Sequence, residues 1–339
     1  MSWLTIVVLV VMLLAASGVV YQWAGAARNR FPPPGTLVDV GSRRLHCRCA
    51  GRGTPAVIFE AGLAASSLSW SNVQPEVAKF TQACSYDRAG LAWSDAGERV
   101  RSTAGFVAEL RRLLERAGIP PPYILVGHSF GGIIIRAFAR AHRGEVAGLV
   151  FVDTLHAQEW MNLTFDRRRT LRGGVFLSNV GAVLARLGIV RLCLSLLSRG
   201  AVGLPRRFSR LFGPTAAALL EHMVGEVQKL PVEVLPMVQA HWSQPRAFHG
   251  MAQHLAALPM CCEELAESAD SLEKLPIVVL SAANRSPRWL AADAALARMS
   301  TAGQHRVSTR AGHWIQLDDP SLVVDAVRDV IHDAFAGSS

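Results

Sequence analysis

The chain opens on an apolar run. No side chain from Ser2 to Ala27 is charged, and Leu4 to Val20 is apolar except for Thr5 and Ser17. At about 1.5 Å per residue, roughly 20 helical residues cross the ~30 Å hydrocarbon core of a bilayer. Trp3 at one edge and Tyr21 and Trp23 at the other suit the two interfaces, and Arg28 and Arg30 follow at once. Residues 1–27 are therefore read as a retained single-pass anchor. The competing reading is a secretory signal ending in the small-residue motif Ala24-Gly25-Ala26. Against it stand the length of the run and the lack of a basic residue ahead of it. The two arginines after the span lean toward a body on the cytoplasmic side.

Phe31-Pro-Pro-Pro-Gly35 then forms a stiff spacer that cannot be helix. Thr36–Val40 and Arg44–Cys49 alternate around Gly41-Ser42 and predict an antiparallel hairpin. Six short β-rich runs follow: Ala56–Glu60, Ala83–Asp87, Tyr123–Gly127, Gly148–Asp153, Pro276–Ser281 and Arg306–Thr309. Such runs are apolar rather than alternating, as parallel strands buried on both faces are. Helical periodicity fills the gaps at Phe106–Arg116, Ser129–His142, Trp289–Met299 and Pro320–Phe335. Strands alternating with helices predict an α/β fold, a mostly parallel sheet wound on both sides. The alternation stops between Thr154 and Leu275, where the pattern is helical. The expected organisation is an anchor (1–27), a first part of the core (28–153), a helical cap (154–275) and a second part of the core (276–339).

Half of the 339 residues are hydrophobic and 18% are charged, which excludes a disordered chain. The net charge of +9 is concentrated: residues 161–211 hold ten arginines against the single acid Asp166. The remainder is balanced, so the chain is a neutral body with one basic segment. That segment lacks a nucleic-acid-binding motif and interleaved aromatics, and no nucleic-acid partner is expected. Six cysteines are too few for a disulfide scaffold at this length. Cys47 and Cys49 share a strand face and are not expected to bridge to each other. No Cys/His spacing fits a zinc site, and neither metal nor cofactor is called for.

The strongest chemical signal is Tyr123-Ile-Leu-Val-Gly127-His128-Ser129-Phe130-Gly131-Gly132. A strand runs into Gly-x-Ser-x-Gly and then into a helix. Gly127 and Gly131 are needed where neighbouring segments crowd so sharp a turn. The turn lifts the Ser129 hydroxyl to a helix N-terminus, where backbone N–H groups face developing negative charge. A serine hydroxyl is a poor nucleophile without a base. His313, in Ala311-Gly312-His313-Trp314 after the last predicted strand, is the candidate base.

These residues resemble the α/β-hydrolase family, specifically its single-span, lid-bearing serine hydrolases. The resemblance covers about residues 36–153 and 273–336. It is carried by Glu60-Ala-Gly62-Leu63, Ser85-Tyr-Asp87-Arg88-Ala-Gly90, the 127–132 motif and Gly312-His313. It implies an eight-stranded sheet, a Ser–acid–His triad and a cap after the sixth strand. It also implies an oxyanion site built from the backbone N–H groups of Leu63 and Phe130. Ser129 argues against the dehalogenase and epoxide-hydrolase chemistries, which in this fold use Asp at that position. The acid departs from the commoner pattern: no carboxylate follows Pro276–Ser281 until Asp293. A subset of the fold takes its acid from the end of the sixth strand, where Asp153 stands. Asp153 is the assigned acid, with Asp293, Asn284 and Glu159 as the other candidates. Asp87-Arg88 is read as bracing the loop beside the oxyanion turn.

The expected function is hydrolysis of a small lipophilic ester or acyl substrate by Ser129, His313 and Asp153. An amidase or peptidase on the same residues is the alternative. A non-catalytic, membrane-anchored binding protein on the same fold is the alternative of another class. The basic cap segment 161–211, with apolar Val180–Ser198 and Pro205–Phe212, is a candidate second contact with the membrane surface.

Overall fold

A computed structural model describes residues 2–97, 102–198, 227–266 and 272–336. Eight strands form one sheet: β1 (Thr36–Asp39), β2 (Arg44–Ala50), β3 (Ala56–Glu60), β4 (Ala83–Tyr86), β5 (Tyr123–His128), β6 (Val146–Val152), β7 (Ile277–Ser281) and β8 (Gly303–Val307). Their spatial order is β1-β2-β4-β3-β5-β6-β7-β8. β2 runs antiparallel to both β1 and β4, and every other pairing is parallel.

The central strands are buried on both faces, which is why they read as apolar runs. Helices α3 (Thr103–Arg116) and α4 (Phe130–Ala141) cover one face, and α12 (Pro320–Phe335) covers the other. Within α3, Phe106, Leu110, Leu113 and Leu114 are buried together, the stripe that its periodicity predicts. The edge strand differs from expectation. β8 starts at Gly303 rather than at Arg306, because its residues are only half buried and Gln304, His305 and Arg306 leave no apolar run to read.

Between β6 and β7 the described residues are helical: α5 (Ala157–Trp160), α6 (Phe165–Arg186), α7 (Ile189–Ser198), α8 (Leu235–Trp242) and α9 (Pro245–Ala266). Arg199 and Pro205–Phe212 of the expected basic segment lie outside the described residues. The amino-terminal helix α1 (Trp3–Arg28) has the length and apolarity to cross a membrane.

One covalent link was not anticipated. Cys49 of β2 and Cys84 of β4 stand opposite each other in the antiparallel register and form a disulfide. Cys47 and Cys49 do not bridge, although their sulfurs are 3.8 Å apart.

Candidate active site

Ser129 sits between β5 and α4 at φ +52°, ψ −118°, a backbone state that costs about 1–3 kcal/mol for a residue with a side chain. The turn is held by close backbone packing. A Cβ at Gly127 would lie 2.7 Å from the Gly131 backbone, and one at Gly131 would lie 2.5 Å from the Glu60 carbonyl. The loop after β3 therefore rests directly on the elbow. His128 is buried beside it and donates from Nε2 to the His313 carbonyl at 2.9 Å.

Asp153 is the first residue beyond β6 and also adopts positive φ (+42°). Parallel pairing sets β5 and β6 side by side, so the residues after them share one end of the sheet. His313 reaches that end from the loop between β8 and the short helix α11 (Ile315–Asp318). Its Nδ1–H donates to Asp153 Oδ2 at 2.6 Å, and its Nε2 faces the Ser129 hydroxyl at 3.1 Å. The proton is thus on Nδ1, and the lone pair on Nε2 is free to accept from serine. The other carboxylate oxygen of Asp153 accepts from the Ala282 N–H at 2.9 Å and is 3.0 Å from Arg285 Nη1. Burial pushes the Asp153 carboxyl up. The His313 hydrogen bond, the Arg285 charge and the Ala282 N–H outweigh it and hold the group below the usual carboxylate value.

Asp293 is elsewhere. It lies in helix α10 (Pro287–Ala297), fully buried, and serves a different network. His156 Nε2 is 2.7 Å from one of its oxygens, and the Ser281 hydroxyl donates to the other at 2.6 Å. Arg285 links the two carboxylates, with Nε 2.6 Å from Asp293 and Nη2 donating to the Thr154 carbonyl at 2.6 Å. Glu159 pairs with Arg167 at 3.3 Å. Asn284 borders a cleft of about 630 Å³ that reaches Asp153 and His313 and includes Arg285 and Trp289.

Leu63 follows Gly62, where a Cβ would crowd His128 Nδ1 at 2.7 Å and make ordinary contact with Ser129 Cβ at 3.5 Å. Phe130 is the first residue of α4. Among the described residues neither amide N–H makes a hydrogen bond, so each keeps a donor to offer. The turn is braced from beneath. Arg88 donates to Glu60 and to the carbonyls of Ala61 and Gly62, and Tyr86 donates to Glu60. Asp87 accepts from the Ser67 N–H at 2.7 Å and pairs with His46 at 2.8 Å.

Sequence reasoning missed Arg285 and Glu60, and each left a signal. Arg285 is the charged residue of the loop after β7, where an acid was sought. Glu60 ends an otherwise apolar strand, and a buried carboxylate there demands a cation. Replacing Arg88 by Met removes the cation from that buried carboxylate and leaves Tyr86 as a neutral donor to it, so urea unfolding is expected to show a loss of about 3–5 kcal/mol. Arg88→Lys restores only part of it, because a single ammonium cannot span Glu60 and two carbonyls. A loss under about 1 kcal/mol, the surface-pair range, would contradict the bracing role.

The site also sets an acid limit. Burial, and then the neighbouring His313, push His128 down from 6.5 to about 3, so it folds neutral. Between those values the unfolded chain binds a proton that the folded chain refuses, and stability falls as pH drops through that window. His241, lowered by burial to about 4, acts in the same direction. The stabilisation from Asp153 is full above its usual 3.8 and is lost below, as pH passes its depressed value. His128→Gln is expected to flatten the pH 6–4 slope of unfolding free energy by about 1.4 kcal/mol per pH unit, one proton's worth. An unchanged slope would contradict burial of neutral His128.

Comparison with known proteins agrees with the architecture. A family model described as alpha/beta hydrolase fold matches residues 55–189. An AB hydrolase superfamily protein of Gibberella zeae is 40% identical over 104 residues, which cover 30% of this chain and 32% of that protein. The chain spans less than half the length of the curated relatives it matches. Among solved structures, the epoxide hydrolase CorEH superposes with a TM-score of 0.62 at 19% identity, covering 90% of this chain and 98% of that one. A thermophilic esterase from Thermogutta terrifontis gives 0.57 at 18% identity, covering 88% and 98%. At these identities the likeness is one of fold, and it spans two chemistries. With its eight-stranded sheet, its Gly-x-Ser-x-Gly elbow and a family model matching residues 55–189, the chain has the α/β-hydrolase fold.

Proposed function

We propose that this protein is a serine hydrolase that cleaves a lipophilic carboxylic ester through an acyl-enzyme. Ser129 attacks the acyl carbon while His313 Nε2 takes its proton. Asp153 fixes the imidazole tautomer and stabilises the imidazolium. The N–H groups of Leu63 and Phe130 hold the oxyanion, a contribution of about 3–4 kcal/mol each in comparable sites. His313 then returns the proton to the leaving alcohol, and water attacks the acyl-enzyme by the reverse sequence.

The observation that carries this reading is the position of the His313 imidazole, 3.1 Å from a serine hydroxyl and 2.6 Å from a buried carboxylate. The epoxide-hydrolase likeness does not transfer its chemistry, because the elbow holds a serine and not an aspartate. A lipophilic substrate is favoured by the layer above the core, where Leu230, Val234 and Val238 pack against Leu68, Trp93 and Leu317. The apolar α1 favours a membrane-anchored enzyme.

The test uses the full chain in mild detergent. A fluorophosphonate probe is expected to add once, with the adduct mapping to Ser129. p-Nitrophenyl esters of rising acyl length are expected to be hydrolysed with increasing kcat/KM. No adduct would leave the non-catalytic binding reading. An adduct together with turnover of anilides but not esters would leave the amidase reading.

A further inference from the structure

The amino-terminal helix makes specific contacts with the cap. Residues 3–14 of α1 are exposed on every side, whereas Ala15, Gly18, Gln22 and Ala24 to Ala26 are covered to varying degrees. Of these, Ala15, Gly18, Gln22 and Gly25, spaced three, four and three, share one helical face. Gly18 meets the α6–α7 turn so closely that a side chain there would overlap the Leu187 carbonyl, and Gly188 in turn admits the Gly18 carbonyl. Gln22 is buried. Its oxygen accepts from Arg191 Nε of α7 at 2.9 Å, and its amide donates to the Ser243 carbonyl beyond α8 at 3.0 Å. The Arg191 side chain lies over Gly25.

This docking conflicts with a simple tether. The free part of α1, Trp3–Leu14, is only ~18 Å long, against a hydrocarbon core of ~30 Å. A full crossing needs the docked half too, and that half lies against α6 and α7. Those two helices already suit the same medium. Phe176, Leu177 and Val183 of α6 and Leu192 of α7 are exposed. Together α6 and α7, bent by 85°, are apolar and long enough to count as a broken or re-entrant span. From Gly173 to Val190 the sequence has one charge, Arg186, which a long side chain can carry to the interface. The exposed arginines Arg168, Arg169 and Arg172 collect at the other end of α6, where lipid phosphates would meet them.

We propose that the bilayer takes up the α1–α6–α7 face of the cap as one body, so that the cap is embedded in lipid rather than suspended above it. Resting on the hydrolase reading, this makes the substrate a membrane-dissolved lipid ester that enters through the cap from the lipid side.

The experiment is depth-resolved quenching in the full chain with Cys193→Ala. An environment-sensitive fluorophore is placed on Phe176→Cys, Val183→Cys or, as the distant control on α12, Asp325→Cys. Each protein is reconstituted in vesicles of phosphatidylcholine with anionic phosphatidylglycerol. The expected result is that labels at 176 and 183 are blue-shifted, quenched by lipid-borne nitroxide and shielded from aqueous iodide, with the reverse at 325. Quenching of all three by iodide alone would overturn the proposal and restore the tether. Hydrolysis of p-nitrophenyl palmitate dissolved in the same vesicles is followed in parallel. Turnover with failed shielding sinks the embedding alone, and shielding without turnover sinks the hydrolase reading alone.

Discussion

Ser129→Ala is expected to lower kcat toward esters by about a million-fold, the scale seen when a nucleophile is removed from a serine–histidine unit. Among the described residues the hydroxyl is the hydrogen-bond partner of His313 Nε2, so the imidazole keeps its place and loses its task. Adding His313→Ala should cost little more, since in the proposed mechanism the two residues act as one device. A residual rate of about 10³ over water should survive in both variants, supplied by the oxyanion donors and by substrate binding. Stability should scarcely change, because the hydroxyl makes no other hydrogen bond among the described residues and alanine tolerates positive φ no worse than serine. Steady-state kinetics with a p-nitrophenyl ester, paired with thermal unfolding, checks both halves. A loss below tenfold would move the nucleophile elsewhere.

Asp153→Asn and Asp293→Asn are expected to fail in different ways. At 153 an amide would present a donor to His313 Nδ1. The ring then has to put its proton on Nε2 and cannot accept one from serine. A fall in kcat of about 10⁴ is expected. The fold should hold, because Arg285 keeps its pairing with Asp293. At 293 the exchange removes the charge that pairs with Arg285 and accepts from Ser281, beside His156, in a fully buried pocket. The expected cost is about 3–5 kcal/mol of stability, with kcat much nearer the wild-type value. Urea unfolding and kinetics on the two variants separate these outcomes. The reverse pattern would assign the acid to Asp293.

The division between what could be read and what could not follows from burial. Strands β3, β5, β6 and β7 are enclosed on both faces, so they spell themselves out as Val, Ile, Leu and Phe. β8 is an edge strand with polar residues, and its periodicity is too weak to fix its start. The elbow was legible because its glycines sit where backbones nearly touch, a constraint that few other residues satisfy. Asp153 is picked out through the resemblance, in which a subset of the fold takes its acid from the end of the sixth strand; a carboxylate that ends an apolar strand is not enough, since Glu60 ends one too and binds Arg88. The separate network around Asp293 is not legible in the sequence. Its partners His156, Ser281 and Arg285 lie 137, 12 and 8 positions away and meet only once the sheet is formed. The Cys49–Cys84 link depends on the β2–β4 register, and nothing in the spacing of 35 residues announces that.

That link has a third sulfur for a neighbour. Thiol exchange needs an attacking thiolate, and Cys47 is placed to be one, 3.8 Å from Cys49. Burial, helped by the Asp87 charge, pushes the Cys47 thiol up to about 12, so near neutrality almost none of it is ionised. The bridge is thereby insulated from scrambling by its own strand, and its pairing should persist through mild alkali until the sheet edge opens and lets that proton go.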